Sequence, residues 1–483
     1  MKLDQLVAGA PSIEITGITA DSRKVKPGFL FAALKGVAGD GRDYIDSAVK
    51  AGAVAVLTDD RPGEWSVPAV KTAEPRLTLA ATAAAFYTSQ PAVVAAVTGT
   101  NGKSSTVDFL RQIWTHMGRK AASMGTLGAI GPSGVLDLGH TTPDPVAIHA
   151  TLDKLAKEGV THAAMEASSH GLAQYRLHGV KLAAGAFTNL TQDHLDYHLD
   201  FNDYRNAKLK LFTDLLPQGA PAVINADSPE LDVFEAAARK AGLKSFTVGW
   251  RGRDLRIAEA LPRGTGQDLV IQWGEGPSAG NERKVHLPLI GEFQALNALC
   301  AAGIAMALGD DVNKVLDGVE ALTGVHGRLE LVGQTALKAP VFVDYAHTPD
   351  GLNVLLRAAR PHVRGKLIVV FGCGGDRDAT KRPIMGDVAR RLADEVIITD
   401  DNPRSEEPAK IRAAIRNGAP DASEIGDRAT AINEGIRRLK AGDALLIAGK
   451  GHETGQIVKG VTIPFSDFDV ARAALDEVGG SHG

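Results

Sequence analysis

A lysine with two hydroxyls directly behind it, Lys103, Ser104 and Ser105, closes the glycine turn of VAAVTGTNGKSSTVDFL, residues 94 to 110. Phosphate binding is the chemistry that wants this order. Successive N–H groups of a glycine turn, with the positive end of the helix that follows, form an anion cradle. The lysine then reaches β- and γ-phosphates, and the next hydroxyl holds Mg2+. The spacing departs from G-x-x-x-x-G-K-[ST], which would place glycine at Val97; here Gly99 supplies the turn. A strand-to-helix turn carrying a solvated lysine is the plainer alternative.

Other residues have types and positions that could add to this chemistry. Glu166 in MEASSH and His194 in TQDHLDYH each follow an apolar run. A carboxylate and an imidazole at neighbouring strand ends could hold a second Mg2+ or its phosphate ligands; alone, Glu166 fits a capping carboxylate. His194 and His198 have the i, i+4 spacing of a zinc pair, but no third ligand follows at suitable spacing. In FNDYRNAKLKLF, the residues Phe201, Tyr204, Lys208, Leu211 and Phe212 fall at helical steps, which puts Lys208 on the apolar face. A buried ammonium is costly, so such a lysine is paired, deprotonated, modified or snorkelling to the surface. Asn297 is one amide in an apolar helical stretch, Arg328 follows a glycine in GVHGRLE, and Asp344 and His347 end a strand-like run in DYAHTPDG.

Positioning these groups takes more than one core. The chain has 483 residues, 44% hydrophobic and 23% charged, with a net charge of −4; two to four domains is the expectation for that length. The charge balance, without a dense Lys/Arg run, argues against nucleic acid or an anionic membrane as the main partner. No apolar stretch reads as a signal peptide or a membrane span, and the cytoplasm is the expected compartment. Cys300 and Cys373 read as free thiols. From Val93 onward, strand-like runs alternate with helical patterns, and after GVHGRLE the alternation restarts. That predicts an α/β chain of parallel strands with crossover helices, whose ligands sit at the carboxyl ends of strands. The expected boundaries are residues 1–92, 93–326 and 327–483.

Read in order, TGTNGKSS, MEASSH, TQDHLDYH, YRNAKLKLF, EFQALNALCAAG, GRLE and DYAHTPDG resemble the motifs of the Mur ligase family, ATP-dependent amide-forming enzymes of peptidoglycan synthesis. The resemblance covers essentially the whole chain. It implies a UDP-substrate-binding N-terminal domain, a central P-loop ATPase domain of mostly parallel sheet, and a Rossmann-like C-terminal domain that holds the amino acid. By the resemblance, Gly99, Thr100, Asn101, Gly102, Lys103, Ser104 and Ser105 hold the ATP phosphates. Asn297 contacts adenine, and Arg328, Asp344 and His347 complete the nucleotide site across a domain junction. Lys103, Glu166, His194 and Lys208 form the catalytic set, with two Mg2+ ions expected on Ser104, Glu166, His194 and Lys208, the last as an N-carbamate. Adding CO2 would turn a buried cation into an anionic ligand. His326 stands where the family has proline, and Ser104 replaces a commoner threonine while keeping the hydroxyl.

Within that family, ADSRKVKPGFLFAALKG, HTTPDP and DNPR resemble members that join meso-diaminopimelate to UDP-N-acetylmuramoyl-L-alanyl-D-glutamate through an acyl phosphate. By the same resemblance Ser22 meets the uridine end, while Thr141, Thr142, Ser168, Gln174 and Arg176 meet the muramoyl-dipeptide. The acceptor falls to Arg377, Asp401, Asn402, Pro403, Arg404, Gly449 and Glu453. Diaminopimelate differs from lysine by a second carboxylate, which an arginine fork binds in bidentate fashion while a glutamate pairs with the amine. Lysine-adding relatives generally lack the arginine of the tetrapeptide, which makes Arg404 the discriminating residue. Folylpolyglutamate synthase is a rival that should lack the N-terminal segment and DNPR. A signalling GTPase is a rival of another class, but no D-x-x-G occurs between Ser104 and Cys300 and no N-K-x-D is present. The expected enzyme is a monomer.

Overall fold

The computed structural model describes residues 1–36, 39–60, 63–191, 197–274 and 280–483. The chain divides into two compact units. One comprises Met1–Arg256, Trp273–Gly280 and Asn297–Gly318; the other comprises Ile257–Gln272, Asn281–Leu296 and Val319–Gly483. The fold is α/β, as the alternation of patterns predicts.

The first unit contains two sheets with separate cores. Its N-terminal sheet has four parallel strands in chain order, Gly17–Thr19, Phe29–Ala32, Ala53–Thr58 and Ala69–Lys71. Leu3, Ile15, Leu30, Leu57 and Leu79 pack together on it. The parallel core of the second, eleven-stranded sheet runs Lys244–Gly249, Pro221–Asn225, Ala184–Phe187, Val93–Thr98, His162–Glu166 and Ala121–Gly125, and Gly128–Gly131 pairs antiparallel with the last of these. Runs such as VVAAVT suit strands covered on both faces, where no polar alternation is needed. Strand order reverses on either side of Val93–Thr98, because Ala184–Phe187 lies on one flank and His162–Glu166 on the other. In an open parallel sheet the crevice at such a reversal, beyond the carboxyl ends, is where a ligand fits. The glycine turn Gly99–Gly102 stands there, between that strand and the helix Lys103–His116.

Helix ends are set by local chemistry. The carboxylate of Asp144 accepts from the N–H groups of Val146 and Ala147 ahead of Pro145–Lys157, with Pro145 at the first helical position. Asp200 likewise accepts from the Asp203 N–H at the start of Phe201–Lys210. The chain then widens into one π-type turn over Leu211–Leu215, a distortion that often accompanies functional sites.

The second unit is built on a sheet ordered Ser423–Glu424, Glu395–Ile398, Leu367–Phe371, Ala444–Ala448, Pro340–Asp344, Glu330–Gln334 and Ser481–His482. Its first five strands are parallel and its last two pairings antiparallel. Side-chain alternation splits its core in two. Leu367, Val369 and Phe371 join Leu352, Met385 and Ile411 on one face, while Ile368 and Val370 join Ile432, Ile436 and Leu475 on the other. Order reverses between Leu367–Phe371 and Ala444–Ala448, the second crevice of the molecule.

Candidate active site

The glycine turn of the first unit has the shape of a phosphate cradle. Gly102 has φ 85°, and a Cβ there would lie 2.2 Å from the Asn297 Oδ1; a Cβ on Gly99 would lie 1.9 Å from the Thr188 hydroxyl. Only glycine fits either position, so the backbone can close around a small anion. Lys103 lies over this turn, its Nζ donating to the carbonyls of Gly99 and Thr100 at 2.9 and 2.8 Å. Asn297 is buried against the turn on the helix Glu292–Ala307, as its place in an otherwise apolar helix allows. Thr100 donates to or accepts from the Tyr204 hydroxyl at 3.1 Å, tying the turn to the Phe201–Lys210 helix.

Glu166 ends its strand beside this turn. Its Oε1 accepts from the Ser104 hydroxyl and from the Thr126 N–H, both at 2.8 Å. The carboxylate therefore caps no helix; it meets the first turn of the helix Lys103–His116. Lys208 is 1% exposed, and its Nζ donates to the Gly99 carbonyl at 2.7 Å while lying 4.5 Å from the centre of the Tyr204 ring. It stays inside rather than snorkelling. His194 lies outside the described residues. His198 bonds Asp203 through Nδ1 at 3.1 Å, and among the described residues no cluster of three His, Cys, Asp or Glu could hold a metal.

A polar network follows from Glu166. The Thr142 hydroxyl donates to the Glu166 carbonyl and accepts from the Ser168 N–H; the Thr141 and Thr126 hydroxyls are 2.9 Å apart. Ser168 caps the short helix Ser169–Ala173 by accepting from Gly171. Arg176 donates to the Thr142 carbonyl at 2.6 Å and to the Gln174 Oε1 at 2.8 Å. Arg176 and Gln174 line a cavity of about 510 Å³ together with Ala20, Leu34, Arg76, His140 and Asp144. Its size is that of a ligand site. Ser22 stands two residues beyond Ala20 without joining the lining residues. Arg76, which donates to the Lys35 carbonyl at 2.6 Å, belongs to no motif; only the folding of its helix onto this cavity reveals it.

In the second unit, Asp344 ends its strand with both carboxylate oxygens accepting N–H bonds, from Leu329 and Ala346 at 2.7 Å. Burial still pushes its carboxyl above the usual range. The Arg328 guanidinium lies 4.8 Å from the Tyr345 ring centre, and burial holds His347 below its ordinary value. The Gly449 N–H donates to the Asp344 carbonyl at 3.1 Å, so Asp344 and Gly449 share one end of the sheet. There the turn Asp401–Arg404 is buried through Pro403, and Arg404 is half-buried. The Asn402 Nδ2 and the Lys450 Nζ both donate to the Glu453 Oε2, at 2.8 and 3.1 Å. A Cβ on Gly449 would lie 2.6 Å from an Asp401 carboxylate oxygen. Arg404 donates to the Gly375 carbonyl at 2.8 Å, while Arg377 stands exposed. Lys450, with no exposed surface, is a buried cation in GKGHE that the sequence reading did not single out; its place three residues before Glu453 is the one local signal of the pair.

Three family profiles tile this architecture: Mur ligase family, catalytic domain over residues 14–99; Mur ligase middle domain over 97–305; and Mur ligase, glutamate ligase domain over 327–451. A UDP-N-acetylmuramoyl-L-alanyl-D-glutamate--2,6-diaminopimelate ligase from Bradyrhizobium diazoefficiens is 51% identical over 98% of this chain and 99% of its own length. The chain belongs to the Mur ligase family. A ligase of the same name from Caulobacter vibrioides is 52% identical, over 96% of each chain. A solved structure of a ligase of that name is 32% identical and covers 99% of both chains, with a TM-score of 0.74. In this Mur ligase the glycine turn, Glu166 and Lys208 gather in the first unit, and the DNPR turn with Gly449 and Glu453 gathers in the second. Among the described residues no helix is long and apolar enough to cross a membrane.

Proposed function

We propose that the chain is an ADP-forming ligase that joins meso-diaminopimelate to UDP-N-acetylmuramoyl-L-alanyl-D-glutamate in peptidoglycan precursor synthesis. The observation that carries this reading is identity above 50%, over nearly the whole chain, to ligases named for that reaction. In the reaction the γ-carboxylate of the substrate's D-glutamate takes the γ-phosphoryl group of ATP, releasing ADP and forming an acyl phosphate. The amine of diaminopimelate then attacks the acyl carbon, phosphate leaves, and an amide remains. Such transfer rests on positioning and neutralised charge. Lys103 and the N–H groups of the Gly99–Ser105 segment would hold the phosphates. Asn297 would meet adenine, with Arg328, Asp344 and His347 serving the same nucleotide.

The residues present fit Mg2+. The Ser104 hydroxyl and Glu166 carboxylate are hard oxygen donors 2.8 Å apart at the mouth of the cradle, and Mg2+ characteristically takes one or two protein oxygens and completes its shell with phosphate and water. Bound there, it would neutralise charge on the transferred phosphoryl group. His194 is proposed for a second ion. Lys208 is proposed to carry an N-carbamate: its ammonium first gives up a proton, the free amine attacks CO2, an N–C bond forms as a C–O π pair moves to oxygen, and a second proton leaves the nitrogen, so the buried cation becomes an anion. Thr141, Thr142, Ser168, Gln174 and Arg176, with Ser22 toward uridine, would hold the nucleotide-sugar dipeptide. Arg377, Asp401, Asn402, Pro403, Arg404, Gly449 and Glu453 would hold the acceptor. The reading includes a monomer working in the cytoplasm, where its co-substrate ATP is made available.

The test is ADP release with each substrate omitted in turn. ADP is expected only when ATP, the UDP-linked dipeptide and meso-diaminopimelate are all present. Steady hydrolysis of ATP alone would overturn the reading and favour a nucleotide switch.

A further inference from the structure

The acceptor turn is held from behind by a hairpin that belongs to no motif. Strands Gly455–Val458 and Val461–Pro464 pair in antiparallel fashion, joined by Lys459 and Gly460 with φ 49° and 79°. Two left-handed residues in a row give the tight hairpin turn whose twist matches its strands. A two-stranded hairpin is marginal alone, and this one is laced to the turn Asp401–Arg404. The Gln456 Nε2 donates to the Asp401 carbonyl at 2.7 Å, and the Ile457 N–H donates to the Asn402 Oδ1 at 3.0 Å. The Arg404 N–H donates to the Ile457 carbonyl at 2.9 Å, and the Lys459 N–H to the Arg404 carbonyl at 2.7 Å. Lys450 adds a further bond to the Asn402 Oδ1 at 3.0 Å.

Arg404 itself has φ 53°, a conformation that is strained for a non-glycine residue and persists only where its surroundings impose it. Here both its backbone groups are taken by the hairpin. With the backbone fixed in that way, its guanidinium starts from one place, beside the Gly375 carbonyl.

We propose that the hairpin Gly455–Pro464, acting through Gln456, sets acceptor selectivity by holding Arg404 in this conformation; the inference rests on the function proposed above. Gln456 is a positioning residue: it bonds the turn's backbone, so its loss is felt wherever Arg404 reads the acceptor's distal carboxylate. An unmet buried carbonyl after its removal is worth about one order of magnitude in binding.

Two variants test this. Gln456→Met keeps the side chain's length and removes its donor. Gly460→Val sits in the hairpin turn, where a Cβ meets nothing within 4 Å, so it acts only by opposing the positive φ the turn needs. Steady-state kinetics with the full chain should show the KM for meso-diaminopimelate rising roughly tenfold in each. The preference for meso-diaminopimelate over L-lysine should fall by a similar factor, with kcat and the KM values for ATP and the UDP-linked dipeptide held. Both variants at the wild-type KM overturn the inference while leaving the proposed function standing, and so does a parallel change in all three KM values with a lowered melting temperature. A wild type that releases no ADP in response to meso-diaminopimelate overturns the functional reading, and this inference with it.

Discussion

Arg404 meets the physical requirement for telling two similar acceptors apart. Its guanidinium is always charged and forked, and a partner carboxylate absent from L-lysine leaves it unmet. Arg404→Ala should raise the KM for meso-diaminopimelate roughly thirty- to a hundredfold, the weight of a charge-assisted pair, while kcat at saturation changes little. An unchanged KM in a steady-state assay would remove Arg404 from the acceptor site. Lys208 invites a separate test because it is 1% exposed and bonded to the very carbonyl, that of Gly99, which Lys103 also uses. Enzyme prepared free of CO2 should regain activity when bicarbonate is added, and Lys208→Ala should be low in activity and indifferent to bicarbonate. Full activity in that variant would end the carbamate reading.

At the scale of elements, one buried ion pair joins the starts of two helices beside the Asp401–Arg404 turn. Arg428 and Asp467 open the helices Arg428–Arg438 and Asp467–Glu477, and neither side chain has exposed surface. Arg428 also donates to the carbonyls of Asp400 and Ala448, joining both helix starts to the sheet end that carries DNPR. Asp467→Ala should lower stability by about 3 to 5 kcal/mol, because a buried guanidinium is left unpaired. Replacing both residues, Arg428→Met with Asp467→Leu, should cost less than the single change, as read by urea denaturation. Sequence could not foretell this pair: the two residues are remote in the chain and meet only through packing. What it could show was periodic or local. The 3.6-residue spacing put Lys208 inside the Phe201–Lys210 helix, and the Gly-Lys-Ser order put the start of a helix at Lys103, both as found. Arg76 and the Gly455–Pro464 hairpin escaped notice, because a lone arginine and a short exposed strand pair carry no pattern until the chain folds. The grouping of Ile257–Gln272 and Asn281–Leu296 with the second unit was equally invisible, since alternation alone does not say on which core a strand packs.

Across the whole molecule, acid should act through histidines held neutral. Burial, with Arg328 and His326 nearby, lowers His452 from its ordinary 6.5 to about 4, and burial lowers His347 and His362 as well. A depressed folded value means that the contribution is present above 6.5 and is lost as pH falls toward about 4. His326, raised by its bond to Glu330, has the opposite sign: its contribution is full below 6.5 and fades as pH rises through its folded value. Burial also lowers His149, His162 and His178, so six groups against one predict net loss on acidification. Between about pH 7.5 and 5, His452→Phe should lose on the order of 1 to 2 kcal/mol less stability than the wild type, measured by denaturation at both pH values. Equal losses would show that His452 is not held neutral. The central claim concerns chemistry, and acceptor competition tests it most directly. Wild-type enzyme given ATP, UDP-N-acetylmuramoyl-L-alanyl-D-glutamate and equal concentrations of meso-diaminopimelate and L-lysine should yield, by mass spectrometry, the diaminopimelate-containing tripeptide in excess by several orders of magnitude. A product that is mainly the lysine-containing tripeptide, or no amide product at all, would contradict the account.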